Sequence, residues 1–421
     1  MRSGAKHFLL PVAALLMMIP FFAACAQHQA VKLEKTEFMF WPPAPDAPRI
    51  QFLTSISSSS DVTRKSTKME EFLYGTDTVT DLPFERPYGI RMYDGKMYVC
   101  DATAANVSIL DLRNKEVRIL GATGQVHLSK PIDIAISPDG VKYVADTGYG
   151  AIMVFDSADK YAGKVAVKGM RPVSVALYND QLYVSDLGAS VIRVLNRYDG
   201  TPIRTIGGPG GGKGQFGGSM GLTIDKNGNV YVNDVLGCKV QKFANDGTFI
   251  YSIGGLGDHP GQFVRPKLMA VDSAGILYVV DFAFQNVQMF DEQGVMLMFF
   301  GGEGDFPGSM NAPTGVCVSD TDLDLFKEYI HPDFDAKRLV IVTNNTGAHK
   351  INVYALGELK PGKTVADVAG TRVQGIFGFA GDAEKSTGPL FNIDAATQPA
   401  SSRPAATQPA TAPASTETSK P

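Results

Sequence analysis

Short apolar runs alternate with turn residues along most of this chain. The fourth of six such units is the clearest, with runs at Met220–Asp225, Val230–Asp234, Lys239–Phe243 and Phe249–Gly254. Runs of this length, with apolar residues in alternation or in fours and fives, are typical of strands packed between neighbouring sheets. After residue 30, only Met69–Tyr74 approaches an apolar period of 3.6 residues. The pattern therefore predicts an all-β protein.

One short motif, Tyr-Val-x-Asp, recurs through these units. Complete copies end at Asp101, Asp146, Asp186, Asp234 and Asp281, and a degenerate copy ends at Asn344. The complete copies follow one another after 40 to 48 residues. A period in the forties with several short strands per unit is typical of β-propellers. We therefore predict a six-bladed β-propeller of four-stranded blades that forms one domain.

The last unit lacks an obvious fourth strand, and a matching segment stands near the start of the chain. There, Phe52–Ser57 resembles Phe249–Gly254 of the fourth unit. We predict that Arg49–Ile56 completes the last blade and closes the ring, because closure removes exposed sheet edges. Arg372–Phe379 is the competing candidate for this strand. In the second unit, Val165–Val167 is predicted as the outer strand.

Glycine-rich loops recur between the later units, at Gly207–Phe216, Gly254–Phe263 and Gly301–Gly308. With Tyr-Val-x-Asp and the proline that opens most first strands, they resemble the loops of NHL-repeat six-bladed propellers over roughly residues 48–380. The usual Asn-x-Arg before the third strand is weak in units 1 to 3. The resemblance implies an interaction platform. Similar propellers include peptidyl-hydroxyglycine lyases and lactonases with a metal ion on the axis, which makes a metal-dependent enzyme the alternative.

The two ends of the chain differ in composition from the repeats. Residues 1–24 combine Arg2 and Lys6 with an apolar run and are predicted as a signal peptide. The sequence Phe-Ala-Ala-Cys ending at Cys25 predicts lipidation of that cysteine, and an ordinary cleaved signal is the other interpretation. Residues 25–47 are predicted as a spacer, and the Pro/Ala/Thr-rich residues 388–421 as a disordered tail. These features predict an exported, membrane-anchored lipoprotein of the bacterial cell envelope, in the periplasm or at the cell surface.

Charge and cysteine content narrow the function further. The formal net charge is −4, and removal of a signal that carries Arg2 and Lys6 makes the mature chain more acidic. Such a protein is a poor nucleic-acid binder. Beyond Cys25 the chain has Cys100, Cys238 and Cys317, an odd number in different units, which does not indicate a disulfide framework. No helix is predicted after the glycine loops, so a dinucleotide is not expected there, and we predict no cofactor.

Propeller geometry predicts which loops meet. The turns between second and third strands share one face with the segments that lead into each first strand. Basic residues precede the first strand in four units, at Arg86, Lys130, Arg171 and Arg265. They either pair with the motif aspartates or receive an anionic ligand or an acidic protein patch. The long segment Ser57–Glu85 is a candidate lid or partner-docking loop on this face.

The turns on this face also carry aspartates and aromatic side chains. Asp101, Asp146, Asp186, Asp234 and Asp281 are predicted to shape the turns by accepting hydrogen bonds from backbone N–H groups. Tyr149, Phe282 and Phe284 stand among small turn residues and indicate contact with a protein partner. The predicted function is a non-catalytic envelope scaffold that contacts a protein or a cell-surface polymer through this face.

Metal-ligating residue types are few and scattered. His127, His259, His331 and His349 do not occupy matching positions in successive units, so no zinc site is predicted. The insertion Asp320–Lys337 begins with alternating aspartates, but it lacks the glycine of a calcium loop. It is predicted as a solvated acidic excursion, and no metal site is expected.

Overall fold

Six antiparallel sheets form a ring in the computed structural model, which describes residues 38–63, 82–121 and 126–368. The six-bladed β-propeller predicted from the repeat is confirmed. In each blade the strands run from the innermost, a, to the outermost, d, and the a strands of successive blades pack side by side around the axis. Cys25, the tail 388–421 and the competing segment Arg372–Phe379 lie outside the described residues.

The strands are numbered in chain order. The chain starts with β1 (Met39–Trp41) and β2 (Ile50–Ile56), which belong to blade 6. Blade 1 contains β3 (Pro87–Tyr93), β4 (Lys96–Asp101), β5 (Asn106–Asp111) and β6 (Glu116–Ile119). Blade 2 contains β7 (Pro131–Ile136), β8 (Lys142–Asp146), β9 (Ala151–Phe155) and β10 (Tyr161–Val165). Blade 3 contains β11 (Pro172–Tyr178), β12 (Gln181–Asp186), β13 (Val191–Asn196) and β14 (Pro202–Ile206).

The second half of the ring follows the same order. Blade 4 contains β15 (Ser219–Ile224), β16 (Val230–Asp234), β17 (Lys239–Phe243) and β18 (Phe249–Gly254). Blade 5 contains β19 (Pro266–Val271), β20 (Leu277–Asp281), β21 (Asn286–Phe290) and β22 (Met296–Gly301). Blade 6 contains β23 (Pro313–Ser319), β24 (Phe334–Asn344) and β25 (Ile351–Leu359), followed outward by β2 and β1.

The ring is closed by the N-terminal strand, as predicted. β2 pairs antiparallel with β25, with Phe52 opposite Tyr354 and Ile56 opposite Ile351. The first and last described strands of the chain therefore meet in one sheet. This arrangement fastens blade 6 to blade 1 without leaving β25 as an open edge.

Blade 6 has a fifth strand that the sequence analysis assigns to the spacer. β1 pairs antiparallel with β2, and Met39, Phe40 and Trp41 are all buried. The Trp41 ring lies 5.9 Å from the Tyr354 ring and 6.5 Å from the Phe300 ring, in edge-to-face arrangements. The propeller therefore begins before residue 48. A three-residue strand next to two prolines carries too short a pattern to be recognised from sequence.

The Tyr-Val-x-Asp motif explains how neighbouring blades pack. Because successive side chains of a strand point to opposite faces, the Tyr and the Val of each b strand enter different cores. In blade 4, Tyr231 packs in the core shared with blade 5, and Val232 packs in the core shared with blade 3. The tyrosines of all five complete copies are buried, at 2% exposure or less: Tyr98, Tyr143, Tyr183, Tyr231 and Tyr278. The motif therefore recurs because each b strand packs against both neighbouring blades.

Helical structure in the described residues is confined to short segments. Two 3₁₀ helices span Ser59–Asp61 and Leu323–Tyr329, and one α-helical turn, α1, spans Val365–Val368. Within the described residues no helix has the length and apolarity needed to cross a bilayer. The second 3₁₀ helix lies in the insertion predicted as a solvated acidic excursion. That expectation is wrong for Phe326, which is buried in the core between blades 6 and 1.

Candidate functional site

The turns between b and c strands meet the segments that lead into the a strands. In every blade, the backbone N–H that follows the b strand donates to the carbonyl directly before the a strand. The six bonds are Ala102 to Arg86, Thr147 to Lys130, Leu187 to Arg171, Val235 to Gly218, Phe282 to Arg265 and Asn345 to Ala312, at 3.0 to 3.3 Å. We call the face formed by these two sets of segments the upper face.

The motif aspartates lie beneath the upper face and are engaged by backbone. Asp281 accepts hydrogen bonds from the N–H groups of Val264 and Arg265 on one side, and of Ala283 and Phe284 on the other, at 2.8 to 3.3 Å. Equivalent bonds converge on Asp101 and Asp146. All five aspartates are at most 1% exposed. They join the b–c turn to the a strand and do not form an accessible ring of carboxylates.

Asp186 and Asp234 show the same role with small differences. Asp186 accepts from the N–H of Arg171 at 2.9 Å and from the Arg193 side chain at 2.8 Å. Asp234 accepts from the N–H groups of Gly218 and Gly237. In blade 6, Asn344 occupies the position and accepts from the N–H of Asn311. In blade 6 an amide oxygen therefore joins the b–c turn to the a strand, and it accepts fewer backbone hydrogen bonds than the aspartates do.

Replacing Asp281 by alanine is expected to lower the free energy of unfolding by about 2 kcal/mol, because four backbone N–H groups lose a charged acceptor and only part of the loss is recovered from water. Asp281→Asn should have a smaller effect, since the amide oxygen still accepts, as it does in blade 6. Denaturant unfolding of both variants measures this. Asp305→Ala, at an exposed loop position, is the control. Equal stability of the Asp281→Ala and control variants would contradict the role assigned to Asp281.

The four basic residues predicted to mark this face are exposed on it. Arg86, Lys130, Arg171 and Arg265 each donate their backbone N–H to the aspartate of their own blade. Within the described part of the chain, none of their side chains forms an ion pair with a carboxylate. Asp186, the motif aspartate in the blade of Arg171, forms its ion pair with the Arg193 side chain. The structure thus places these side chains at the upper face, while backbone N–H groups engage the motif aspartates.

The three aromatic residues differ in exposure. Tyr149 is 50% exposed on the b–c turn of blade 2, whereas Phe282 and Phe284 are half-buried. The Phe282 ring lies 5.6 Å from the Arg265 guanidinium and 5.5 Å from the Lys267 ammonium. These are cation–π distances. Phe282 therefore supports two cations at the axial mouth, and Tyr149 keeps a surface that a partner could contact.

The axial channel is closed below the upper face. Tyr88 and Met220 occupy the second position of the a strands of blades 1 and 4, which lie on opposite sides of a six-membered ring. The Tyr88 hydroxyl nevertheless lies 3.8 Å from the Met220 sulfur. The Lys267 ammonium, from blade 5, lies 3.9 Å from the same sulfur. Side chains from three blades thus converge on the axis and form the floor of the upper mouth.

Burial changes the protonation behaviour of this floor. Burial, and then the Asp133 carboxylate, raises the pKa of the Tyr88 hydroxyl, which therefore remains a hydrogen-bond donor at neutral pH. Burial, and then the Arg265 guanidinium, lowers the pKa of Lys267, while Asp281 partly offsets both. The floor combines a neutral hydroxyl with an ammonium whose positive charge is disfavoured by its surroundings.

A second space opens on the opposite end of the axis. A cavity of about 240 Å³ is lined by the distal ends of all six a strands. Its walls are mostly small or apolar, including Ala135, Ala176 and Cys317, and Arg91 is the charged residue that lines it. Burial raises the pKa of the Cys317 thiol to about 12, which keeps it protonated. Asp133, at the level above, accepts from the Ser174 hydroxyl at 2.6 Å and lies 3.7 Å from Arg91.

The residue types that could hold a metal ion are dispersed. Across the described ranges, no group of three or more His, Cys, Asp or Glu side chains is arranged to bind one. His349 contacts the Ser55 hydroxyl at 2.9 Å, and His331 packs against Phe38. In the blade 6 insertion, Asp322 accepts from the Ser319 hydroxyl at 2.6 Å and Asp324 pairs with Arg113. These four side chains are thus engaged with other protein groups.

Sequence reasoning missed the residues of the axial floor. It identified the residue before each a strand, whereas Tyr88, Met220 and Lys267 stand at the second position within the strand. The usable signal was the lysine itself, because the equivalent positions in blades 2 and 3 carry Ile132 and Val173. A charged residue in an otherwise apolar inner strand indicates an axial role.

Comparison with known proteins identifies the architecture and no family. No protein-family model and no curated protein matches the chain. A crystal structure of a protein of unknown function from Bacteroides thetaiotaomicron is similar, with 17% identity, a TM-score of 0.52, and coverage of 74% of this chain and 76% of that one. At this identity the likeness shows the fold alone. It is a propeller.

Two enzymes are also among the structural neighbours. A gluconolactonase from Xanthomonas campestris is 13% identical, with a TM-score of 0.49 and coverage of 76% of this chain and 97% of that one. Virginiamycin B lyase from Staphylococcus aureus is 13% identical, with a TM-score of 0.45 and coverage of 65% and 95%. Neither likeness carries an activity to this chain.

Proposed function

We propose that this protein is a non-catalytic binding propeller of the bacterial cell envelope, anchored through a lipid on Cys25, which contacts a protein or cell-surface polymer through its upper face. The observation that carries the proposal is the set of exposed basic side chains around the axial mouth. Their blade aspartates are buried and bound to backbone, so the positive charge is presented to solvent. Such a field attracts an acidic partner and orients it on approach.

The regular construction of the six blades supports the same proposal. Each b–c turn and each a-strand lead-in is built from the same hydrogen bonds, and these bonds hold the surface side chains on a rigid ring. Residues on rigid turns bind with little loss of conformational freedom. Tyr149 adds an exposed aromatic side chain of the kind enriched at protein contacts. In the described residues, no arrangement favours the metal-dependent alternative.

Simultaneous reversal of Lys130, Arg171 and Arg265 to glutamate is expected to reduce partner capture from native envelopes at least about tenfold, because three favourable charge contacts become repulsive. The ring should remain folded, since these side chains are exposed. Affinity capture with quantitative mass spectrometry measures the effect. The control reverses Lys160, Lys164 and Lys226, three exposed lysines on the lower turns and an outer strand. Capture of the same partners by the folded triple variant would rule out the proposed face.

Substitution of Cys25 by serine is expected to release the protein from membranes into the soluble envelope fraction, because the acyl chains supply the anchoring free energy. Metabolic labelling with a fatty-acid analogue measures the modification, and membrane fractionation measures the anchor. Cys238→Ser, at a buried cysteine of the ring, is the control. A labelled Cys25→Ser variant, or an unlabelled wild type, would contradict the anchor.

A further inference from the structure

The upper mouth is a blind pocket. Tyr88 and Met220 come from opposite blades and approach to 3.8 Å, so they close the axis at the second residue of the a strands. Beside this floor, the Phe282 ring lies 5.5 Å from the Lys267 ammonium and 5.6 Å from the Arg265 guanidinium. A ligand group that enters from the upper face therefore stops against Tyr88, Met220 and Lys267 and does not reach the lower cavity.

Lys267 is the unbalanced charge in this pocket. Its ammonium contacts the Met220 sulfur at 3.9 Å and the Phe282 ring at 5.5 Å, and within the described residues it has no ion pair. The nearby Asp281 carboxylate is occupied by four backbone N–H groups. A partly buried ammonium whose side-chain contacts are a thioether and an aromatic ring has lost part of its hydration, which is costly. An anion at the axis would replace the hydration that it has lost.

A second donor lies beside the ammonium. The Tyr88 hydroxyl meets the same sulfur, which is a weak acceptor. Thr314, the equivalent residue of blade 6, already donates its hydroxyl to the Pro87 carbonyl at 3.0 Å. The floor thus offers two donors with poor partners, one charged and one neutral. The two donor groups can each bind one oxygen of a carboxylate, the smallest common anionic group.

We propose that the upper mouth binds the carboxylate group of a ligand, with the Lys267 ammonium and the Tyr88 hydroxyl as its direct partners. The proposal deepens, and rests on, the assignment of the upper face as the binding face. Arg86, Lys130, Arg171 and Arg265 surround the mouth and draw the anionic group toward the axis. Phe282 contacts the part of the ligand next to the carboxylate. The ligand class is therefore an acid whose carboxylate projects far enough to reach the axis.

The test uses acetate as the probe and acetamide as its neutral isostere. The full chain is labelled with ¹³C at the lysine ε-carbon, and the Lys267 signal is assigned by its loss in Lys267→Met. Acetate is expected to shift this signal saturably and to raise the measured pKa of Lys267, because a bound anion stabilises the charged ammonium. Acetamide should do neither. Tyr88→Phe should weaken acetate binding about threefold, the scale of one neutral hydrogen bond.

The matched control is Lys164→Met, which removes an exposed lysine from the outer strand of blade 2. It should leave the Lys267 titration unchanged. In Lys267→Met, which lacks the reporting signal, acetate affinity measured by calorimetry should fall tenfold or more, as expected for loss of a charge-assisted bond. A Lys267 signal that responds equally to acetate and acetamide overturns the proposal. So does inorganic phosphate binding more tightly than acetate, which would assign the pocket to phosphate.

Two features keep the result interpretable. If Lys267→Met fails to fold, Lys267→Arg, which keeps the positive charge, assigns the Lys267 signal, and the pKa measurement on unsubstituted protein remains decisive. The acetate titration also requires no protein partner. A failure to capture a partner through the upper face therefore leaves the titration readable, and a flat acetate titration leaves the capture experiment readable.

Discussion

A chain that begins at Ser57, and therefore lacks β1 and β2, is expected to lose cooperative folding. The two strands contribute six buried apolar side chains: Met39, Phe40, Trp41, Ile50, Leu53 and Ile56. Burial of each such side chain contributes about 1.5–3 kcal/mol. Their sum is comparable with the whole stability of a typical domain, about 5–15 kcal/mol. Removal also exposes β25 as an unpaired edge, which favours association between copies.

The truncation is measured by thermal unfolding and by light scattering. A chain that begins at Phe38 is the matched control, because it keeps both strands and every pairing of blade 6. We expect the control to unfold in one transition near that of the full chain, and the Ser57 chain to aggregate or to unfold without a sharp transition. A monomeric Ser57 chain that unfolds like the control would show that closure contributes little.

Replacing Gly315 by alanine is expected to destabilise the ring by about 3 kcal/mol, at the upper end of what overpacking costs in a tightly packed core. A Cβ at this position would lie 2.1 Å from the Tyr88 carbonyl oxygen and 2.8 Å from the Thr343 hydroxyl. The first of these atoms belongs to the backbone of β3. The inner strands of blades 6 and 1 would have to separate, at the seam that the N-terminal strands close.

Gly211→Ala is the control for this substitution. Gly211 lies in a glycine loop of the upper face, and a Cβ there would meet no atom within 4 Å. Gly211 lies outside helices and strands. The same change from glycine to alanine there alters only the conformational entropy of the local chain. Denaturant midpoints of the two variants measure the difference. If both variants unfold at the same concentration as the unsubstituted protein, the close approach at the seam has no energetic weight.

The features predictable from the sequence were those that repeat. The period of Tyr-Val-x-Asp and the prolines that open most a strands located the blades, because each blade packs against its neighbours through the same positions. Ring closure was predictable because the Phe52 segment resembles a d strand of another unit. Features that occur only once were harder to predict from the sequence. β1 has three residues, and contacts with residues distant in sequence stabilise it, such as its pairing with β2 and the packing of Trp41 on Tyr354.

The outer strand of blade 2 shows how tertiary packing shifted a boundary. The apolar residues of Val165–Val167 suggested the strand, but β10 spans Tyr161–Val165. Tyr161 lies opposite Phe155 in the register, and the two rings pack edge to face at 5.8 Å. This contact anchors the start of the strand. Outer strands bury one face only, so a single aromatic contact can set their register where the apolar pattern is weak.

The positions of the basic residues in the candidate site could be predicted from the sequence, but their surroundings could not. Arg86, Lys130, Arg171 and Arg265 follow from chain order alone, since each precedes an a strand. Their freedom from carboxylate partners among the described residues does not, because it depends on the backbone N–H groups that occupy the aspartates. The meeting of Tyr88, Met220 and Lys267 depends on contact across the ring, between residues far apart in sequence.

The fifth strand of blade 6 also determines how the ring would respond to a pulling force. β1 is the outermost strand of blade 6, on the N-terminal side of the described residues, and is held through three paired positions with β2. Tension from that side would first peel β1 and leave β2 paired with β25 over a longer register. The propeller would remain closed after this first rupture. Under tension, β1 therefore yields before the ring that presents the upper face.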